Sequence, residues 1–211
     1  CPLGLDNSVI AREIRALFSM EMGMAPSMLH ERGTVLQLST GSSTGMNKDA
    51  FLDNIEFIEE DIYERLGKKY KFPIDKKGAD ILLIHNAGEF LSWPDNPTAF
   101  AILFEEAGLD WTMSSELAGY DGVNYGIWYD DAQAGKIALA QRRAARELGV
   151  RRIVIGECGH AHRAAAVTSD RLAVGADNIP RESSFPILRD IVQGGRIKFD
   201  PLRNNFPVTL H

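Results

Sequence analysis

The densest run of chemically capable side chains is Gly156-Glu157-Cys158-Gly159-His160-Ala161-His162-Arg163. The preceding Arg152-Ile153-Val154-Ile155 reads as a buried strand and the residues from His160 as a helix, so the cysteine stands at a strand-to-helix turn. A helix N-terminus carries partial positive charge and favours thiolate over thiol. Gly156 and Gly159 allow the tight backbone such a turn needs. His160, His162 and Arg163 are spaced to favour the thiolate further or to supply ligands, so Cys158, His160 and His162 are the candidate catalytic residues. The same spacing also fits a small cysteine buried in a turn. A zinc site on Cys158, His160 and His162 is disfavoured, because residues at i, i+2 and i+4 seldom face one ion.

Two further groups should open on the same edge. His85-Asn86-Ala87-Gly88-Glu89 follows the apolar run Ile81-Leu82-Leu83-Ile84, and Ser114-Ser115-Glu116 ends a third strand. Taken singly, His85 and Glu116 read as solvated loop residues. Gly41-Ser42-Ser43-Thr44-Gly45 lacks the lysine and the preceding strand of a phosphate-binding loop and reads as a linker.

The elements that position these groups follow from periodicity. Helices are predicted over 6–22, 28–38, 47–66, 98–107, 130–148, 160–172 and 183–192, and strands over 81–84, 110–114, 152–156 and 208–210. The helix over 47–66 carries an apolar stripe (Phe51, Ile55, Ile58, Ile62, Leu66) under an acidic outer face. Apolar strands alternating with helices predict an α/β fold, a parallel doubly wound sheet flanked by helices and preceded by a helical segment. The expected division is 1–73, helical, and 74–211, the α/β domain. Sites in such sheets lie beyond the carboxyl ends of the strands.

Composition narrows the function classes. The 211 residues are 45% apolar and 25% charged, enough for a sizeable core in a soluble protein. With 29 acidic against 23 basic residues the net charge is -6, which argues against a nucleic-acid partner. No apolar run is long enough for a direct membrane span, and no signal peptide is expected. Two cysteines, Cys1 and Cys158, cannot build a disulfide framework or by themselves hold a four-ligand iron-sulfur cluster, and reduced thiols fit a cytoplasmic location.

Cys1-Pro2-Leu3-Gly4-Leu5-Asp6 followed by a helix resembles the end of a bacterial ferredoxin motif, whose last cysteine precedes a proline. With Gly41 to Asn47, the stretch Asp110-Trp111-Thr112-Met113-Ser114-Ser115 and Gly156 to Ala161, it resembles the CCG-domain superfamily of heterodisulfide reductases, closest to the DsrK/HmcF group of membrane-complex iron-sulfur proteins. The resemblance implies a fragment: 1–73 continues from a missing ferredoxin domain, and 74–211 is a first, degenerate CCG domain whose second CCG partner is missing. Leu117-Ala118-Gly119 stands where Cys-Cys-Gly is expected, Ala161 replaces the second cysteine of Cys-x-x-Cys, and His211 matches the first residue of the second domain's opening motif.

The resemblance further implies [4Fe-4S] clusters in the full-length protein, with Cys1 and Cys158 as metal and cofactor ligands and none complete in this fragment. The implied function is electron transfer from a membrane-associated complex to a disulfide- or trisulfide-type sulfur carrier in dissimilatory sulfur metabolism. His160 and His162 would donate protons to leaving thiolates. The implied partners are membrane-complex subunits and a small sulfur-carrier protein or disulfide substrate. The implied location is cytoplasmic, peripheral to the membrane through those subunits, and the fragment alone is expected to be inactive. Two other readings stand beside it: a non-catalytic scaffold and docking domain, and, less favoured, a cysteine-dependent hydrolase using Cys158 with His160 or His85.

Overall fold

The computed structural model describes residues 4, 7–24, 35–116, 131–156, 158–159, 161–162, 179–200, 202–203 and 206–207. Four strands form one parallel sheet in the order β2-β1-β3-β4. They are β1 (Ile81–Ile84), β2 (Trp111–Thr112), β3 (Arg152–Ile155) and β4 (Arg181–Ser183). Every residue of β1 is buried, as a central strand covered on both faces requires. Register pairs Ile81 with Trp111 on one side and with Arg152 on the other, and Ile153 with Arg181 at the far edge.

The helices are α1 (Asn7–Met20), α2 (Leu36–Thr40), α3 (Lys48–Leu66), α4 (Ala87–Ser92), α5 (Asp95–Glu106), α6 (Asp131–Leu148) and α7 (Ser184–Gln193). Alternation along the strands makes two cores. Ile81, Leu83 and Val154 point to one face, where they meet Phe51, Ile55, Ile58 and Ile62 of α3, Phe90 of α4, Phe100 and Phe104 of α5, and Ile187 and Ile191 of α7. Leu82, Ile84, Ile153 and Ile155 point to the other, against Ala145 and Leu148 of α6 and Ala161. The β1-to-β2 crossover runs over the first face. The β2-to-β3 crossover reverses direction and runs over the second, so both keep one hand, the right-handed one in nearly all such units.

The α3 stripe is the predicted one except for Leu66, which is 55% exposed at the helix end. Asn47 caps α3, its side chain accepting from the Ala50 amide at 2.8 Å, and Gly67 closes it at φ 66°. α3 therefore shares the sheet's core. α1, by contrast, leaves Ile10, Ile14, Leu17 and Phe18 exposed.

Three features depart from the sequence reading. β4 was not predicted, because Arg181-Glu182-Ser183 has no apolar run. The loop after β1 continues into α4, held by a capping box between Asn86 and Glu89. The Gly41–Gly45 segment links α2 to α3 as read, but it is a packed turn: Ser42 is fully buried, its hydroxyl 3.0 Å from that of Thr44, and Ser43 is buried as well. The predictions over 28–34, 163–172 and 208–210, and the Leu117-Ala118-Gly119 comparison, lie outside the described residues.

Candidate functional site at the carboxyl ends of the strands

In the order 2-1-3-4 the chain reverses direction between β1 and β3, and the ligand crevice of a doubly wound sheet opens above that switch point. His85 follows β1 there, and Gly156 follows β3. The two strand ends are tied by the Gly156 amide donating to the Ile84 carbonyl at 2.9 Å. His85 is 1% exposed, so the solvated-loop reading is wrong for it. Its ring meets the edges of Phe90 and Phe100 at centroid distances of 5.6 and 5.0 Å. Nδ1 lies 2.5 Å from Glu89 Oε2, and the same oxygen accepts the Asn86 amide at 3.2 Å. The capping box of α4 thus fixes a carboxylate against a buried imidazole. Accepting from Nδ1–H, Glu89 selects the tautomer whose lone pair is on Nε2. Among the described residues neither His85 Nε2 nor Glu89 Oε1 has a hydrogen-bond partner, and both are buried.

Gly156 is required by this arrangement. A Cβ built there would lie 2.5 Å from His85 Nδ1 and 2.8 Å from Cε1. The Ser184 hydroxyl donates to the Gly156 carbonyl at 3.2 Å, tying the start of α7 to the same strand end. Beyond β2, Ser114 and Ser115 are buried, and the Ser115 amide donates to Asp75 Oδ1 at 2.9 Å. Glu116 is exposed, as expected.

Cys158 is half-buried in the turn after β3 and packs against the second core, as Ile179 also does. The Ala161 amide donates to its Sγ at 3.5 Å, and the His162 amide to its carbonyl at 3.0 Å. One amide of that turn, that of Ala161, thus reaches the sulfur. His162 lies half-buried on that turn, whereas Cys1, Glu157 and His160 lie outside the described residues. Since His85 packs against Phe90 and Phe100 of the first core, Cys158 and His85 flank the end of β3 from opposite faces of the sheet. The structure does not pair them.

The Ser42–Met46 turn reaches the same end of the molecule. Phe51 on the first turn of α3 meets Phe90 edge-on at 5.4 Å, and Phe90 meets His85. α2 packs against α6 on one face while α3 packs against α4 and α5 on the other, so the turn between α2 and α3 crosses the carboxyl edge of the sheet.

Sequence reasoning did not single out Glu89. Its signal was Asn86 followed three residues later by Glu89, the reciprocal cap, together with the i,i+4 spacing to His85.

Among the described residues the donors at these strand ends include the Cys158 thiol, the His162 imidazole on its turn and the His85 imidazole backed by Glu89. No group of three or more His, Cys, Asp or Glu side chains is placed to hold a metal ion among the described residues. These donors do not make up the ligand set of a cubane or noncubane cluster. Nor is any described helix long and apolar enough to cross a membrane.

The four-stranded parallel sheet with helices on both faces makes this an α/β protein. Comparison with known proteins adds a particular likeness. Over 173 residues the chain is 27% identical to the Hdr-like menaquinol oxidoreductase iron-sulfur subunit 2 of Archaeoglobus fulgidus, covering 77% of this chain and 30% of that protein. It is 25% identical to the Hdr-like menaquinol oxidoreductase iron-sulfur subunit of Archaeoglobus profundus over the same shares. The matched segment thus spans under a third of either relative. No family model matches the chain, and no solved structure does. The likeness is to Hdr-like iron-sulfur subunits, in agreement with the broader part of the resemblance.

Proposed function

We propose that this chain is part of an iron-sulfur oxidoreductase subunit of the DsrK type, which passes electrons from a membrane-associated complex to a disulfide- or trisulfide-type sulfur carrier in dissimilatory sulfur metabolism. The observation that carries the reading is the match to two iron-sulfur subunits across a segment that covers most of this chain, whose sheet carries the Cys158 turn at its switch point. In this reading residues 74–211 are a first CCG domain, 1–73 continue from a ferredoxin domain, and the remaining cluster cysteines lie on further polypeptide. A bound cluster would supply single-electron steps.

The chain's own residues have narrower roles. Cys158 offers its sulfur just beyond β3, where the Ala161 amide donates to it. His162, and His160 beside it, would return protons to sulfur leaving groups. The reading places the protein in the cytoplasm, reaching the membrane through partner subunits.

The test is anaerobic reconstitution of the complete subunit with iron and sulfide, as wild type and Cys158→Ala, read by EPR with a thiol substrate present. A substrate-induced signal that is lost or reshaped in the variant supports the reading. A signal and turnover untouched by the substitution move the chemistry elsewhere and leave this domain a scaffold.

A further inference from the structure

Five large apolar side chains face solvent along one stretch of the chain. Phe185 and Val192 share the outward face of α7, whose inward face carries the buried Ile187 and Ile191. Phe199, Leu202 and Phe206 follow, and all five are between 48% and 76% exposed. Single exposed apolar residues are ordinary, but a run of them marks a surface that meets something else.

The charges among them set the sign of the partner. Residues 185–206 carry Arg189, Arg196, Lys198 and Arg203 against Asp190 and Asp200, a basic stretch in a chain whose net charge is -6. Arg189 is bound to Asp190, and Asp200 is turned to its own chain, accepting the Leu202 amide at 3.0 Å. Arg196, Lys198 and Arg203 are exposed and form no ion pair among the described residues. Ile197 packs against the first core, which leaves Arg196 and Lys198 on the outside with Phe199 beside them. Anchors of a protein interface sit in pockets. The face made by Phe185, Leu188 and Val192 is open and shallow. Bases interleaved with rings on an open surface suit the headgroup layer of an anionic bilayer, where phosphates take the charges and apolar side chains enter the acyl boundary. Repulsion from acids elsewhere on the molecule is screened over about 8 Å at physiological salt, so the local bases decide.

We propose that the outward face of α7 and the basic chain after it form a peripheral contact with an anionic lipid surface, Arg196, Lys198 and Arg203 meeting phosphates while Phe185, Val192 and Phe199 enter the interface. The contact lies on the membrane and does not cross it. The inference goes beyond the iron-sulfur reading, from which it takes only the presence of a membrane nearby. Its test needs no cluster, so the two fail separately.

The 211-residue chain is centrifuged with vesicles of equal parts phosphatidylglycerol and phosphatidylcholine, and with phosphatidylcholine alone. The anionic vesicles should carry the chain down, neutral ones should not, and added salt should release it. Arg196→Gln with Lys198→Gln should weaken the partition by about 30-fold. Phe199→Ser with Leu202→Ser should weaken it by about 10-fold or more. Hydrogen exchange on the wild type should show the amides of Arg196 to Phe199 slowed by the anionic vesicles, which decides the matter even if a variant misfolds. No binding to those vesicles overturns the proposal. So does slowed exchange elsewhere with none at Arg196 to Phe199, or binding that both double variants retain, because another surface then makes the contact. A dimer that Phe199→Ser with Leu202→Ser dissolves, with the vesicles ignored, assigns the face to a second copy and also overturns it.

Discussion

At the scale of single residues, Gly156 is the position whose side chain the site forbids. Gly156→Ala puts a methyl 2.5 Å from a ring that Glu89 and two aromatic edges hold in place. We expect a loss of about 1–3 kcal/mol in denaturant unfolding, the range of forced overpacking. His85→Ala should relieve most of that added cost, so the double variant will be markedly non-additive. Additive losses would show that the ring moves aside freely. The position of Gly156 and Cys158 just beyond a buried strand was legible because a glycine-bounded cysteine after an apolar run is a local pattern. It misread His85, because burial of that ring depends on Phe90 and Phe100, on two different helices, and on a glycine far along the chain.

At the scale of elements, the apolar strands and the amphipathic α3 were legible from period and caps. β4 was hidden because its residues alternate nothing, and its pairing depends on β3 alone. The short α4 was hidden inside a polar run whose capping box, not its apolar content, makes it helical. A second tie between elements is electrostatic. The Tyr70 hydroxyl donates to Glu106 Oε1 at 2.6 Å, joining the segment after α3 to the end of α5, and Lys68 binds the same oxygen. The hydrogen bond to Glu106 raises the Tyr70 phenol above its usual value, and Lys68 and Tyr70 lower the Glu106 carboxyl. A raised phenol pKa means that the stabilisation is complete below the unfolded-state value and disappears as pH climbs through the folded one. The phenolate absorbance difference between wild type and Tyr70→Phe should therefore titrate above an ordinary tyrosine. Glu106→Gln should bring the midpoint down, and an unchanged midpoint would mean that the bond is not formed in solution.

At the scale of the whole molecule, stability should grade from the sheet outward. β1 is wholly buried and paired on both sides, and β3 joins it to β4. α1 keeps its apolar face exposed. Amides of β1 and β3 should exchange with solvent only through global unfolding, while those of α1 exchange orders of magnitude faster. Protection of α1 equal to that of β1, measured on the chain by itself, would show that the helix is docked.

The outer strand also bears on how this molecule behaves at high concentration. β4 is three residues long and carries Arg181 and Glu182, with Glu182 and Asp80 both engaged by Arg152. A long, flat, greasy margin is a template on which other chains polymerise, whereas a short, ionic one is a poor seed. The same polar residues that concealed this strand from hydropathy therefore act as gatekeepers. They protect a sheet whose inner strands, laid bare, would be strongly prone to amyloid-like stacking.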